Sequence, residues 1–370
     1  MDQLKFGIVG AAGRPTAFLE AFRSSGKAVL AAACDLNAEA LEQALKDLPG
    51  VERYADHEEM LDRAGLDAVI VGTPMPLHVS QSIAALQRGI HVYSEVTAAV
   101  SVEECRALLK ACRESKAQYM FGENCNYMKP YMLVRELVRE GIFGDLCYAR
   151  GEYLHDCREL LSKTPWRRQW LFESRGVTYG THSLGPILSW MDGDRMERVC
   201  CIGAGRRTSG LDGQPIRGDD GTVMLCQTVQ GRVVEVRMEL AAPHPYQLGY
   251  VLQGSKAAFE SRHMEDNQDE NLIWEQGGDV KDHWGLLERY EKRYLPKLWR
   301  DFSGAAAGAG HGGSDVLIMM DFINALYQGR KAPIDVYAAL DMTLPGLMSE
   351  ESAKRGGAWV EVPDPRQWER

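Results

Sequence analysis

The sequence predicts an α/β chain in two parts: an N-terminal doubly wound parallel sheet, then a C-terminal α+β part built on a mostly antiparallel open sheet. Three observations predict it. Over the first part, short apolar runs alternate with helix-patterned stretches, as parallel strands with right-handed crossovers do. Beyond it, apolar runs follow one another across tight glycine-containing turns, the habit of antiparallel strands. The chain also has 370 residues, more than one hydrophobic core ordinarily organises. The expected division is 1–124 and 125–370.

Each element has a local cause. "LKFGIVG" (4–10) is a buried strand ending in glycine. A helix from Pro15 to Ser25 follows, since proline suits a first helical turn. "AVLAAACD" (28–35) is a second strand closed by an acid, and helical patterning resumes from Ala38 to Lys46. "LDAVIVGTP" (66–74) is the third strong strand, and "PLHVSQSIAALQRG" (76–89) is an amphipathic helix stopped by Gly89. "IHVYSE" (90–95) and "AQYMFGEN" (117–124) are strands flanking a helix over 101–115. A helix over 127–140 opens the second part, with strands at 146–156, 196–205, 221–229, 232–242 and 246–255. A glycine-rich loop (304–315) leads into a helix over 316–329, and the tail 332–363 reads as one helix and a short strand.

Composition narrows the function. The net charge of −10 argues against a nucleic-acid or anionic-membrane partner, because both attract basic surfaces. Nine scattered cysteines without a CxxC pair fit free thiols in a reducing compartment better than disulfides or a metal site. No apolar run reaches membrane-spanning length. A cytoplasmic protein with a small-molecule substrate is expected.

"GIVGAAGRP" (7–15) lies between the first strand and the first helix, where a Rossmann-type domain cradles a dinucleotide pyrophosphate. Gly10, Ala12, Gly13 and Arg14 are the candidate loop residues, a partial fit to GxGxxG. Asp35 ends the second strand, where a carboxylate accepts from the adenosine ribose and repels a 2′-phosphate. Leu36 and Asn37 follow it instead of an arginine, which favours NAD. The competing reading of Asp35 is a helix cap. Thr73, Pro74 and His78 in "VGTPMPLH", Glu95 and Asn124 complete the expected cofactor set. His78 alone reads equally as a helix-face histidine.

"GIVGAAG", "CDLN", "VGTPMPLH" and "HVYSEV", in that order, resemble the Gfo/Idh/MocA oxidoreductases, and "SEVTAAVSVEEC", "GENCNYM", "GEYLHDCREL", "TYGTHSLGP", "HGGSD" and "DVYAALD" resemble their NAD-dependent glycosidase branch, of α-N-acetylgalactosaminidase type. The resemblance covers nearly the whole chain. It implies NAD, a carbohydrate substrate and a homo-oligomer, dimer or tetramer, formed through the C-terminal sheet. Sugar dehydrogenases of this family carry Glu-Lys-Pro where this chain has Glu95, Val96 and Thr97. Loss of that lysine points to a redox-neutral glycosidase: a ring carbon is transiently oxidised, the acidified neighbouring C–H is deprotonated, the aglycone is eliminated, water adds, and the hydride returns. A conventional sugar or polyol dehydrogenase is the second reading, and a non-catalytic NAD-bound regulator the third.

This chemistry needs proton-moving groups. Tyr179 and His182, three residues apart in "TYGTH", share a face if they lie on a helical turn, and imidazole suits general base work at neutral pH. The resemblance points to the same pair; a loop anchored between Gly180 and Gly185 is the alternative. Glu152 and His155 on "GEYLHD" are candidate sugar ligands, with a solvated strand face as the alternative. Tyr246 in "PHPYQ" resembles a substrate tyrosine of the branch. Arg167 and Trp170 in "WRRQW" are rim candidates. "HGGSD" is either a backbone approach to substrate or a helix entry capped by Ser314.

Overall fold

A computed structural model describes residues 3–13, 17–167, 170, 174–264, 269–278, 283–307 and 309–369. Two compact units divide the chain. The first comprises Met1–Met128, Lys297–Leu340 and Pro365–Arg370; the second comprises Lys129–Pro296 and Asp341–Asp364. The first unit thus consists of three separate segments, the last two reached after the chain has passed through the second unit.

The first unit holds β1 (Leu4–Val9), β2 (Ala28–Cys34), β3 (Glu52–Tyr54), β4 (Ala68–Val71), β5 (His91–Ser94) and β6 (Tyr119–Phe121). They form one sheet in the order β3-β2-β1-β4-β5-β6. Every pair is parallel, so the strand order reverses between β1 and β4. Such a reversal opens a crevice at the carboxyl ends of the strands. Phe6 and Tyr93 are buried on this sheet. Phe6 packs on Phe22 at 5.0 Å, and Tyr93 on Phe18 at 5.1 Å. Phe322, from the helix Ser314–Tyr327, meets both, at 6.2 and 6.0 Å. The returning segment thus completes the core of the unit that precedes it by some two hundred residues.

The second unit holds β7 (Leu146–Leu154), β8 (Met196–Gly203), β9 (Thr222–Thr228), β10 (Val233–Glu239), β11 (Gln247–Gly254), β12 (Ala257–Met264), β13 (Glu270–Glu275), β14 (Gly285–Leu286) and β15 (Val360–Glu361). The sheet order is β14-β13-β12-β11-β7-β10-β9-β8-β15. β7 and β10 pair in parallel; the other neighbours are antiparallel. Strict burial alternation in β9 and β10 marks one covered and one open face. The helix Thr181–Trp190 lies on the covered face, where Gly151 of β7 lets it approach. A Cβ at Gly151 would stand 2.8 Å from Ser183 Cβ. Strands β3, β12, β13 and β14 lie outside the stretches expected from sequence.

No helix among the described residues is long and apolar enough to cross a membrane. No disulfide joins the nine cysteines.

Candidate active site

Five expected cofactor positions sit at the carboxyl ends of successive strands of the first unit: the glycine loop after β1, Asp35 after β2, Thr73 and Pro74 after β4, Glu95 after β5 and Asn124 after β6. Gly10 has φ +85°, and a Cβ there would lie 2.8 Å from Gly72 O. The loop from β1 and the loop from β4 therefore touch backbone to backbone, which only glycine permits. Among the described residues, a Cβ at Gly13 would meet Gly10 O at the ordinary contact distance of 3.7 Å. Arg14 lies outside the described residues.

Asp35 is tied to this loop. Ala12 N–H donates to Asp35 Oδ2 at 2.9 Å, and Asn37 N–H donates to Oδ1 at 2.9 Å. The helix Ala38–Ala44 is capped by Asn37, whose side chain accepts from Ala40 N–H. Asp35 is therefore not the helix cap. The carboxylate stands beside the loop with Leu36 91 % exposed next to it. A ribose diol fits an acceptor pair of this kind; a 2′-phosphate does not. Burial, then the charges of Asp35 and Asp56, push the Cys34 thiol up to about 11.

His78 departs from expectation. It is buried, with Nδ1 2.9 Å from Thr97 O and Nε2 2.8 Å from Thr73 O. A neutral imidazole has one N–H, so the ring donates to one of these carbonyls and lies against the other, bracing the loops after β4 and β5. Burial, opposed by those backbone contacts, holds its pKa below the usual imidazole value. Gln81, missed in the sequence, joins it: Thr73 Oγ1 donates to Gln81 Oε1 at 2.6 Å. Its signal was the helical spacing, since His78 and Gln81 share a face at i, i+3.

Glu95 is buried, and its N–H donates to Val71 O at 2.9 Å. Val96 and Thr97 are buried beside it, joined by a cis peptide bond. Asn124 is buried and donates through Nδ2 to Asp315 Oδ1 at 2.9 Å.

The second unit gathers an aromatic cluster. Tyr179 and His182 lie with ring centroids 5.2 Å apart, His182 being in the first turn of the helix Thr181–Trp190. Tyr153 meets His182 at 5.3 Å and Tyr179 at 6.0 Å. His155 and Tyr246 complete the group at 5.2 Å from each other, each packed on Tyr153. Tyr153 Oη lies 3.4 Å from His155 Nδ1. The sequence reading passed over Tyr153, although it sits two residues before His155 and strand alternation puts both on one face. Burial raises the Tyr153 phenol well above its usual pKa, with His182 opposing; it stays a neutral hydroxyl.

The same alternation removes Glu152 from the cluster. It faces the other side of β7, where Oε2 accepts from Gln247 Nε2 at 3.3 Å and Oε1 lies 3.7 Å from Arg150 Nε. Of the two sugar-ligand candidates on this strand, the structure places His155 in the aromatic cluster and Glu152 on the opposite face. Arg167 stacks its guanidinium over Trp166 at 4.6 Å. Trp170 accepts from Ser174 Oγ through its carbonyl at 3.3 Å.

An aromatic block underlies the turn that carries His182. Tyr250 Oη donates to His182 O. Tyr250 packs on Tyr131 at 4.4 Å and on Trp190 at 5.8 Å, and Trp190 Nε1 donates to Tyr131 O at 2.9 Å. Buried aromatic hydroxyls and indoles with satisfied polar tips hold their rings in one place. The "HGGSD" turn is not capped by Ser314: Gly313 takes the cap position, and Ser314 Oγ donates back to His311 O at 3.0 Å.

Comparisons with known proteins agree with this geometry. Residues 4–123 match the family described as oxidoreductase family, NAD-binding Rossmann fold. Residues 127–211 and 214–368 match the glycosyl hydrolase 109 C-terminal domain. A glycosyl hydrolase family 109 protein of Saccharopolyspora erythraea is 31 % identical, aligned over 98 % of this chain and 83 % of its own length. One from Solibacter usitatus is 29 % identical over 98 % and 88 %. Levoglucosan dehydrogenase in complex with NADH and L-sorbose shares the fold, with TM-score 0.82 at 21 % identity, covering 98 % of this chain and all of that one. An oxidoreductase domain protein from Kribbella flavida does likewise, with TM-score 0.81, 22 % identity and the same coverage. With residues 4–123 matching the dinucleotide fold and most of the rest of the chain the glycosidase branch, the chain belongs to glycosyl hydrolase family 109 and is an NAD-dependent enzyme of Gfo/Idh/MocA type.

Proposed function

We propose that the chain hydrolyses a glycoside by the redox-neutral route, with Tyr179 and His182 as its proton-moving pair. The observation that carries this reading is Val96. A buried hydrophobe stands where the family's dehydrogenases place a lysine, and the groups able to move protons are instead the phenol and imidazole of "TYGTH". Gly10, Ala12 and Gly13 would hold the dinucleotide's phosphates, Asp35 its adenosine ribose, and Thr73, Pro74, Glu95 and Asn124 its nicotinamide side. Bound NAD⁺ supplies a hydride acceptor and, once reduced, the hydride donor that restores the substrate carbon. His182 takes the proton of the reacting ring hydroxyl. Tyr179 Oη, deprotonated for this step, takes the proton from the neighbouring carbon, acidified by the carbonyl beside it, and the aglycone leaves by elimination. Water then gives its hydroxyl to the carbon that the aglycone left and its proton to the aglycone oxygen, while Tyr179 returns its proton to the neighbouring carbon and His182 returns its own to the ring hydroxyl oxygen. Tyr153, His155 and Tyr246 surround the pair and bind sugar hydroxyls, Tyr153 as a neutral donor. This route avoids the oxocarbenium-like transition state that a carboxylate pair normally supports.

The exposed face of the second sheet carries Ile202, Val223, Leu225 and Val233, an apolar stripe that supports a homo-oligomer, dimer or tetramer, through that sheet. Nine cysteines without a disulfide support a reducing, cytoplasmic setting.

The test is a panel of nitrophenyl glycosides with added NAD⁺, following nitrophenolate and NADH together. Nitrophenolate without accumulating NADH is expected, and the sugar that reacts names the substrate. Accumulating NADH without nitrophenolate would overturn the glycosidase reading in favour of a dehydrogenase. Silence across all sugars would favour a regulator.

A further inference from the structure

Asp315 is completely buried in the first turn of the helix Ser314–Tyr327, and both of its oxygens are engaged. Oδ1 accepts from Asn124 Nδ2 at 2.9 Å, and Oδ2 accepts from His311 Nδ1 at 2.9 Å. A carboxylate only accepts hydrogen bonds. Asn124, a symmetric-looking amide that is otherwise free to point either way, must therefore turn its NH₂ toward Asp315 and its carbonyl oxygen away. The neighbour recorded for that oxygen is the weak thiol donor Cys125 Sγ at 3.8 Å. His311 closes the arrangement at a φ of +51° in the turn Gly310–Gly313, where its ring reaches forward four residues onto the carboxylate.

We propose that Asp315 is a positioning residue for cofactor recognition. By fixing the Asn124 amide, it makes Asn124 an obligate acceptor at the carboxyl end of β6, suited to the carboxamide N–H of a nicotinamide. His311 holds the second oxygen of Asp315, so the carboxylate cannot swing. The inference rests on Asn124 serving the nicotinamide side.

The test compares two dinucleotides on the full-length protein by fluorescence titration: NAD⁺, and 3-acetylpyridine adenine dinucleotide, whose methyl ketone has no N–H to donate. The wild-type chain should bind NAD⁺ the more tightly, by roughly three- to tenfold, the range of one hydrogen bond. Asn124→Ala and Asp315→Asn should each erase that preference by weakening NAD⁺ alone. The exchanged pair Asn124→Asp with Asp315→Asn restores an obligate acceptor and should restore the preference. That double variant also decides the matter if Asp315→Asn alone does not fold. A preference unchanged in Asn124→Ala and Asp315→Asn, or not restored in the exchange, overturns the assignment while leaving NAD binding intact. Binding of neither dinucleotide by the wild-type chain overturns the cofactor reading beneath it.

Discussion

Tyr179 and His182 stand one turn apart because Gly180 opens a helix between them, and this small spacing decides what single substitutions do. Tyr179→Phe should lower kcat by about 10²- to 10⁴-fold, the scale of a lost general base, with NAD⁺ affinity unchanged in a binding titration. Wild-type turnover in that variant would remove Tyr179 from the chemistry. Asp35→Ala frees Ala12 N–H and, on the proposed reading, removes the acceptor for the adenosine ribose. It should weaken NAD⁺ by roughly ten- to a hundredfold and narrow the gap to NADP⁺; equal affinities before and after would reduce Asp35 to a loop brace. Tyr153 answers to pH through its raised phenol. The unfolded phenol ionises near pH 10, so the stability tied to keeping Tyr153 neutral is complete below about pH 10 and is lost as pH climbs toward the folded value. Melting temperatures from pH 8 to 11 should fall less steeply in Tyr153→Phe than in the wild type, and parallel curves would show that another group governs the alkaline loss. Tyr153 also shows why sequence reading stopped short. Its chemistry is ordinary until Tyr179 and His182 arrive from another element, and nothing local announces that meeting. His78 shows the complementary limit: its motif gave no sign that the ring lies between two backbone carbonyls.

At the level of elements, periodicity was the legible part. The strands of the first sheet stood out as buried apolar runs, and β7 to β11 as runs between tight turns. β3 did not, because three residues (Glu52–Tyr54) with an exposed start carry no pattern. β12 and β13 were hidden by mixed composition, "AAFESRHM" and "ENLIWE"; the pairing of β12 with β11, and of β13 with β12, is a tertiary fact. Strand parity was readable in principle. Gly151 and Tyr153 face the helix Thr181–Trp190, and Glu152 faces away, which a consistent two-residue count along β7 separates. Gly151→Ala tests this packing. The added Cβ would meet Ser183 Cβ at 2.8 Å and Ser183 O at 3.0 Å, in the helix that carries His182. Overpacking of this kind costs about 1–3 kcal/mol, so the variant should melt several degrees lower and lose kcat more than KM. An unchanged melt with full kcat would mean that the helix is not seated on Gly151.

The molecule as a whole is threaded less simply than its motifs suggest. The sequence placed the end of the dinucleotide part at 124, and β1 to β6 do finish before Met128. The first unit nonetheless takes back Lys297–Leu340, because Phe322 fills the space over Phe6 and Tyr93. Periodicity marked 316–329 as a helix but held no clue to which core it joins. A fragment ending at residue 128 should therefore bind the dye ANS and melt without a cooperative transition, since losing a buried phenylalanine of this kind costs about 3–5 kcal/mol. A sharp melt matching that of the intact chain would show that the first six strands suffice. The same threading sets a timetable for synthesis. A ribosome adding about 5–20 residues per second needs roughly 10–40 s to make the stretch between Met128 and the end of the helix bearing Phe322. Through that interval the nascent first sheet waits with part of its apolar face unclosed, and it is then, rather than after release, that a chaperone has most to shield.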